Sequence, residues 1–295
     1  MTSNGLAVRT TNGWSTYSHF AVHGAHPADQ MNAVACPSAT RCEGVGTWGT
    51  ATVGHGVIAL STNGGVTWVA QHPTTPTGPW PLYAISCTST TTCMAVGVRG
   101  GHTSYWTRTT NGGTTWTDHL GSIDPSVGGL DAVSCHAGGF CAVLGTINSS
   151  ANTQNSGVTW HVGTPYASVR YFWGLSCTAQ QICVAVGSNT KGGGIVLRSA
   201  DGGLTWVPML IPGGTRTIYA VTCLSSVTCF AAGTTGTTDT NGHGVVLRTT
   251  NGATWGSMAV AASVTVLKGI TCVSTTRCTA VGGNASSDAV ALTYH

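Results

Sequence analysis

The stretch that decides the fold is "CTSTTTCMAVG", residues 87–97, in which five residues separate two cysteines and the second leads into Ala-Val-Gly. The pattern occurs six times, and its first cysteines stand 42 to 51 residues apart, at Cys36, Cys87, Cys135, Cys177, Cys223 and Cys272. Self-similarity at a period of roughly 40 to 50 residues is typical of β-propeller blades. Each copy is therefore expected to form one blade.

Each repeat contains four short runs that predict β-strands. One run leads into the first cysteine, one follows the second, and a third is clearest in "GVIALS" (56–61) and "GVVLRT" (244–249). A fourth follows a turn that ends in tryptophan. The runs are rich in β-branched residues and bounded by Gly and Asn, and no stretch has a helical period. The sequence predicts an all-β chain, a single six-bladed β-propeller domain over residues 1–295 with four-stranded antiparallel blades.

The cysteine spacing predicts one disulfide within each blade. Each pair would join the innermost strand to the second strand across a hairpin loop, where paired strands bring Cβ atoms close enough to bridge. The alternative is metal binding, but zinc sites use shorter spacings and need four ligands in one place. We expect neither metal nor cofactor. The predicted pairs are Cys36–Cys42, Cys87–Cys93, Cys135–Cys141, Cys177–Cys183, Cys223–Cys229 and Cys272–Cys278.

The composition indicates the cellular compartment of the protein and excludes some classes of binding partner. Twelve cysteines in six regular pairs indicate an oxidising environment. The N-terminal sequence has no signal-peptide pattern, and no run approaches the roughly 18 apolar residues of a membrane span. We expect an exported protein in mature or trimmed form, extracellular or at the cell surface; a reduced cytoplasmic protein is the alternative. A net charge of +3 with no Lys/Arg run excludes the dense phosphate contacts of a nucleic-acid binder.

The tryptophan-ended turns share an octapeptide. The clear copies are "STNGGVTW" (61–68), "TTNGGTTW" (109–116) and "SADGGLTW" (199–206), and looser ones lie at 10–17, 153–160 and 249–255. The octapeptide resembles the Asp-box, Ser/Thr-x-Asp-x-Gly-x-Thr-Trp, of the BNR/sialidase-type propellers, here in a variant with paired cysteines and mostly Asn for Asp. The resemblance implies a turn between the third and fourth strands of each blade.

The order of the motifs predicts how the domain closes. The first octapeptide precedes every cysteine pair, and none follows the last pair. We therefore expect the N-terminal segment to supply the outer strand of the C-terminal blade. Both "LAVRT" (6–10) and "AVALT" (289–293) look like third strands. We expect the surplus strand either to extend a sheet edge or to pair with a neighbouring molecule, which predicts self-association through a terminal strand.

The candidate binding residues lie four positions before each first cysteine, near the expected mouth of the central channel. Cysteine loops and octapeptide turns should share the opposite, structural face. The approach loops add three more candidates, and Tyr171 and Phe172 stand beside Arg170. Aromatic rings with a few polar groups suit recognition of sugars or peptides; the alternative is that these residues only fill the channel. The mouth candidates are Asn32, Tyr83, Asp131, Trp173, Tyr219 and Lys268, with Trp80, Arg170 and Arg216 from the approach loops.

The sequence supports a catalytic function less well than a binding function. Resemblance to the sialidases implies a glycoside hydrolase, but the Arg-Ile-Pro motif of that family is absent and Glu43 follows Cys42 on the structural face. Other glycosidases need two carboxylates, and the mouth offers Asp131, joined by Asp124 or Asp29 from loops. We predict a secreted or cell-surface, non-catalytic propeller that binds glycan or protein. The alternatives are a sialidase-like hydrolase and a structural assembly protein that uses its surplus strand.

Overall fold

The structure of the protein is a computed structural model, which describes residues 6–10, 16, 18–23, 30–50, 53–71, 80–100, 102–164, 166–179, 182–236, 242–286 and 288–294. The regular elements of these residues are β-strands apart from one 3-10 turn, Pro125–Val127. Contacts divide the chain into two compact units. The first comprises Met1–Cys141 with Gln154–Trp160, and the second Ala142–Thr153 with His161–His295.

The strands up to residue 162 form three sheets. The first has the order β1-β2-β6-β5-β4-β3, the second β10-β9-β8-β7 and the third β11-β12-β13-β14. Their bounds are β1 Leu6–Arg9, β2 Ser18–His23, β3 Gln30–Ala35, β4 Cys42–Thr50, β5 Val53–Ser61, β6 Trp68–Gln71, β7 Leu82–Cys87, β8 Cys93–Arg99, β9 Thr103–Thr109, β10 Thr117–Leu120, β11 Leu130–His136, β12 Phe140–Gly145, β13 Ser150–Thr153 and β14 His161–Val162.

Three further sheets follow, with the orders β15-β16-β17-β18, β19-β20-β21-β22 and β23-β24-β25. Their bounds are β15 Val169–Ala179, β16 Ile182–Asn189, β17 Gly194–Ser199, β18 Val207–Pro208, β19 Thr215–Cys223, β20 Cys229–Thr235, β21 Gly244–Thr249, β22 Gly256–Met258, β23 Val264–Ser274, β24 Arg277–Asn284 and β25 Ala289–Tyr294. Six consecutive sheets, one per cysteine repeat and antiparallel apart from the β2–β6 pair, confirm the predicted all-β, six-bladed propeller.

The N-terminal strands differ from the prediction. In the first unit β1 pairs with β2, and β2 runs parallel to β6 with Val22 opposite Trp68. They extend the first sheet, and the last sheet contains three described strands. The outer edge of β6 offers unpaired backbone groups, which β2 satisfies locally. The predicted closure through the C-terminal blade is therefore wrong for the described strands, whereas both third-strand-like segments do form strands, β1 and β25.

All six predicted disulfides are present. The two cysteines of a pair lie opposite each other at the end of the innermost hairpin, as Cys87 and Cys93 do between β7 and β8. Their Cα atoms are 4.0 Å apart. The five-residue loop is thus closed at its base by both backbone pairing and a covalent bridge.

The octapeptide turns are held by their own side chains. Asp201 accepts hydrogen bonds from the backbone N–H of Leu204 and Thr205, at 3.0 and 2.9 Å, and from the hydroxyl of Ser199. Asn111 accepts from the N–H of Thr115 at 2.9 Å in the equivalent turn. The turn is also tied to the cysteine loop of its own sheet, since the N–H of Gly112 donates to the carbonyl of Thr91. The cysteine loop and the turn therefore share one end of the sheet, as predicted.

The core of each unit consists of aliphatic side chains from neighbouring sheets. In the second unit, Val186, Ile218 and Leu247 are fully buried in one cluster with Trp255, a tryptophan that ends an octapeptide. In the first unit, Val45 and Leu82 are fully buried in an equivalent cluster. Trp68, Trp206 and Trp255, which end three of the octapeptides, are buried and are thus packing residues.

Candidate functional site

Five of the predicted mouth residues share a backbone feature, a β-bulge in the inner strand of their sheet. The pairing register skips one residue at Asn32 in β3, Tyr83 in β7, Trp173 in β15, Tyr219 in β19 and Lys268 in β23. A bulged residue has no partner opposite it, and the local kink re-aims its side chain. These five residues are thus the positions where their inner strands depart from regular pairing.

The glycine that closes each "AVG" run makes this bulge sterically feasible. Gly97 pairs with Leu82, and Gly233 pairs with Ile218. A Cβ added to Gly97 would overlap the carbonyl oxygen of Pro81, and one added to Gly233 would overlap that of Thr217. Close approach of one backbone to another is a standard reason for glycine within a strand. The repeated glycine is therefore the sequence signature of the bulge.

A second bulge lies three residues earlier in the inner strands of the second unit. The register skips Arg170 in β15, Arg216 in β19 and Thr265 in β23. Arg170 and Arg216 therefore belong to strands rather than to the predicted approach loops. Phe172, grouped with them in the sequence, is only 2% exposed and packs near Trp206. It is regularly paired between two bulges, so its side chain enters the core.

In the second unit these bulges assemble a row of rings, which we call the aromatic ladder: Tyr171, Trp173 and Tyr219. The ring centroids of Tyr171 and Trp173 are 5.8 Å apart, as are those of Trp173 and Tyr219. A cation flanks each end. The guanidinium carbon of Arg170 lies 5.3 Å from the Tyr171 centroid, and Lys268 Nζ lies 5.8 Å from the Tyr219 centroid.

The aromatic ladder borders a cavity of about 250 Å³. The loop between β16 and β17 forms one wall, contributing Asn189 and Gly192. This wall is held in place, because the side-chain oxygen of Asn189 accepts from the N–H groups of Lys191 and Gly193 at 2.9 and 3.0 Å. The lining residues are Arg170, Tyr171, Trp173, Ser188, Asn189, Gly192, Arg216, Thr217 and Tyr219. The sequence predicted Arg170, Trp173, Arg216 and Tyr219 and gave no indication of the loop.

The mouth residues of the first unit have different surroundings. Asn32 donates its side-chain N–H to the carbonyl of Leu82 at 2.8 Å, so it ties one inner strand to the next. Trp80 lies under the guanidinium of Arg99, 4.9 Å from its ring centroid. Burial raises the pKa of Asp131 to about 6, and burial together with the charge of Asp131 raises the pKa of Tyr83. Here two of the four predicted residues, Asn32 and Trp80, are engaged by the fold itself.

The carboxylates that could assist Asp131 in hydrolysis have other roles or lie outside the described residues. Asp124 caps the 3-10 turn by accepting from the N–H of Ser126 at 2.8 Å, and hydrogen bonding from the Ser126 side chain and backbone lowers the pKa of Asp124. Asp29 is outside the described residues. Glu43 is fully buried 3.4 Å from Arg41, and desolvation raises its pKa. Sulfur atoms of Cys87 and Cys93 approach Glu43, but both are committed to a disulfide and cannot ligate a metal.

No protein-family model and no curated protein matches the sequence. Solved structures do match. A YCF48 protein bound to D1 peptide is 13% identical, with a TM-score of 0.63 over 96% of this chain and 80% of that one. Catalytically inactive virginiamycin B lyase from Staphylococcus aureus with quinupristin is 8% identical, with a TM-score of 0.63 over 98% and 88%. The fucose-specific lectin from Aleuria aurantia is 10% identical, with a TM-score of 0.55 over 91% and 92%. These likenesses show the fold alone.

Proposed function

We propose that the protein binds a glycan through the aromatic ladder without catalysing a reaction on it. The observation that carries this proposal is the exposure of the rings. Tyr171 and Trp173 are 48% and 47% exposed, although large aromatic side chains are normally buried. Their apolar faces offer stacking surfaces for sugar rings, while the phenol hydroxyls and the neighbouring Ser188 and Thr217 side chains supply hydrogen-bonding groups.

The rigidity of the cavity wall also supports binding. The N–H of Thr190 donates to the carbonyl of Ser168 at 2.9 Å, which ties the β16–β17 loop to the segment that enters β15. Together with the turn around Asn189, this contact fixes the wall before a ligand arrives. A site that is already ordered loses less conformational entropy on binding.

The arrangement of carboxylates favours a non-catalytic role over a sialidase-like hydrolase. Glycoside hydrolysis by the usual mechanisms needs two carboxylates across the scissile bond, and the described residues lining the ladder cavity include no Asp or Glu. The hydrolase alternative has a direct test. Release of sugar from a panel of chromogenic glycosides, abolished by Asp131→Asn, would establish the enzyme and remove the non-catalytic proposal.

Six disulfides support placement of the protein outside the cell or at its surface, because such bonds persist in oxidising compartments. No helix among the described residues has the length and apolar character needed to cross a bilayer. In that setting the ligand would be a cell-surface or matrix glycan. A protein ligand is the alternative, and among the similar structures one is a peptide complex and another a lectin.

The test is a binding screen against immobilised neutral and acidic polysaccharides and a random peptide library. We expect the protein to retain one or more glycans, and Trp173→Ala to reduce that binding at least tenfold. Leu210→Ala is the matched control, since Leu210 is an apolar residue, 75% exposed, outside the ladder cavity. Binding to peptides alone, or glycan binding that Trp173→Ala leaves unchanged, would refute the proposal.

A further inference from the structure

We infer that the bound glycan is acidic and that Arg170 and Arg216 hold its carboxylate in the ladder cavity. This inference rests on the proposed function and specifies its ligand class. Both arginines line the same cavity, beside the rings on which a sugar would stack. A uronic-acid residue combines these features, with a ring face for stacking and a planar carboxylate for a guanidinium.

The backbone accounts for the convergence of the two arginines. Each occupies the first of the two bulges in its inner strand, three residues before the mouth residue, Trp173 in one strand and Tyr219 in the other. The strands β15 and β19 contact each other directly. Equivalent bulges in adjacent strands therefore bring two equivalent side chains to one cavity, as the cavity lining shows.

Arginine is the residue suited to this task. Its planar guanidinium offers N–H groups in a fork that matches a carboxylate in two parallel hydrogen bonds. Arg170 lies over the Tyr171 ring, with its guanidinium carbon 5.3 Å from the ring centroid. This cation–π contact holds the side chain beside the cavity that it lines.

The surrounding charge also favours an anion. Lys268 ends the aromatic ladder, and Lys191 stands in the loop that forms the cavity wall. Only 6% of the chain is charged, with 11 Lys and Arg in total, so two arginines that line one cavity and two lysines on the adjoining segments are a marked concentration. Their combined field would attract an acidic polysaccharide, and this attraction should weaken as salt screens it.

The experiment compares an oligogalacturonate with its fully methyl-esterified form by isothermal titration calorimetry at pH 7. The two probes share sugar rings and linkage and differ in the charge of the carboxyl groups. We expect the free acid to bind at least tenfold more tightly than the ester. Arg216→Met and Arg170→Met should each reduce this preference severalfold while leaving the affinity for the ester nearly unchanged.

Arg277→Met is the matched control, since Arg277 begins β24 in a cysteine loop and does not line the ladder cavity. It should leave the preference unchanged. Equal binding of acid and ester by the unmodified protein would overturn the inference whether or not the variants fold. The inference would also be overturned if Arg277→Met lost the preference for the free acid to the same degree as the Arg170 and Arg216 variants. Binding of neutral glycans without binding of oligogalacturonate would overturn it as well. In these cases the proposed function stands; it fails if no glycan of either kind binds.

Discussion

Arg216 and Tyr219 occupy two successive β-bulges of the same strand, β19, and both line one cavity. Strand β15 repeats the arrangement with Arg170 and Trp173. A regular strand would send alternate side chains to opposite faces, whereas two bulges three residues apart bring a cation and a ring to the same cavity. The composition of the cavity lining thus depends on the β-bulges, and mutation can test whether the bulges are needed.

The glycine at the bulge should be indispensable. Gly233→Ala would place a methyl group onto the carbonyl oxygen of Thr217. We expect the variant to lose about 1 to 3 kcal/mol of unfolding free energy, as overpacked sites do, and to bind glycan more weakly. Gly213→Ala is the control, because nothing lies within 4 Å of a Cβ at that position. Equal stability of the two variants in urea denaturation would show that the close approach does not determine the bulge.

The octapeptide turn should tolerate Asp but not Ala in place of Asn. Asn111 accepts hydrogen bonds from the N–H of Thr115 and the hydroxyl of Thr109, and Asp201 accepts the same set in its own turn. Asn111→Asp should therefore change stability little. Asn111→Ala should cost about 1 to 2 kcal/mol, since the turn loses the hydrogen bonds from the Thr109 hydroxyl and the Thr115 N–H, each of which contributes about 1 kcal/mol net. Thermal unfolding of both variants measures the difference in stability. Unchanged stability of Asn111→Ala would contradict the role of the Asn111 side chain in stabilising the turn.

The disulfides should contribute separately to stability. Replacing Cys87 and Cys93 together with alanine opens one short loop, and the chain-entropy model gives a loss of roughly 2 kcal/mol. The same double replacement at Cys223 and Cys229 should cost a similar amount, because the two loops have the same length. Unfolding free energies from guanidinium denaturation provide the comparison. Collapse of the whole fold after removal of a single bridge would contradict separate contributions.

The Asp131 carboxyl should make stability depend on pH. Its pKa rises from 3.8 to about 6 on folding because burial disfavours the charged form. The stability it contributes is therefore fully present below about pH 4 and is lost as pH rises through 6. Asp131→Asn should match the natural protein near pH 4 and exceed it by about 2 to 3 kcal/mol at pH 8. A constant difference across that range would show that the carboxyl is not desolvated.

Much of the fold followed from the sequence because it repeats. Six copies of one cysteine spacing fixed the sheet count and the disulfides, and counting back from each cysteine located Trp173, Tyr219 and the other mouth residues. The bulges were not predicted, since they arise from pairing with another strand. The glycine of each "AVG" run is the one feature that could have indicated them. The pairing of β2 with β6 was missed because motif order does not determine which open edge a terminal strand selects.

The most direct test of the account is a crystal structure of the protein soaked with an oligogalacturonate. A sugar ring should stack against Trp173 or Tyr219, with a carboxylate within hydrogen-bonding distance of Arg170 or Arg216. A sugar bound instead among the cysteine loops, or the aromatic ladder left without sugar when calorimetry shows binding, would contradict the account.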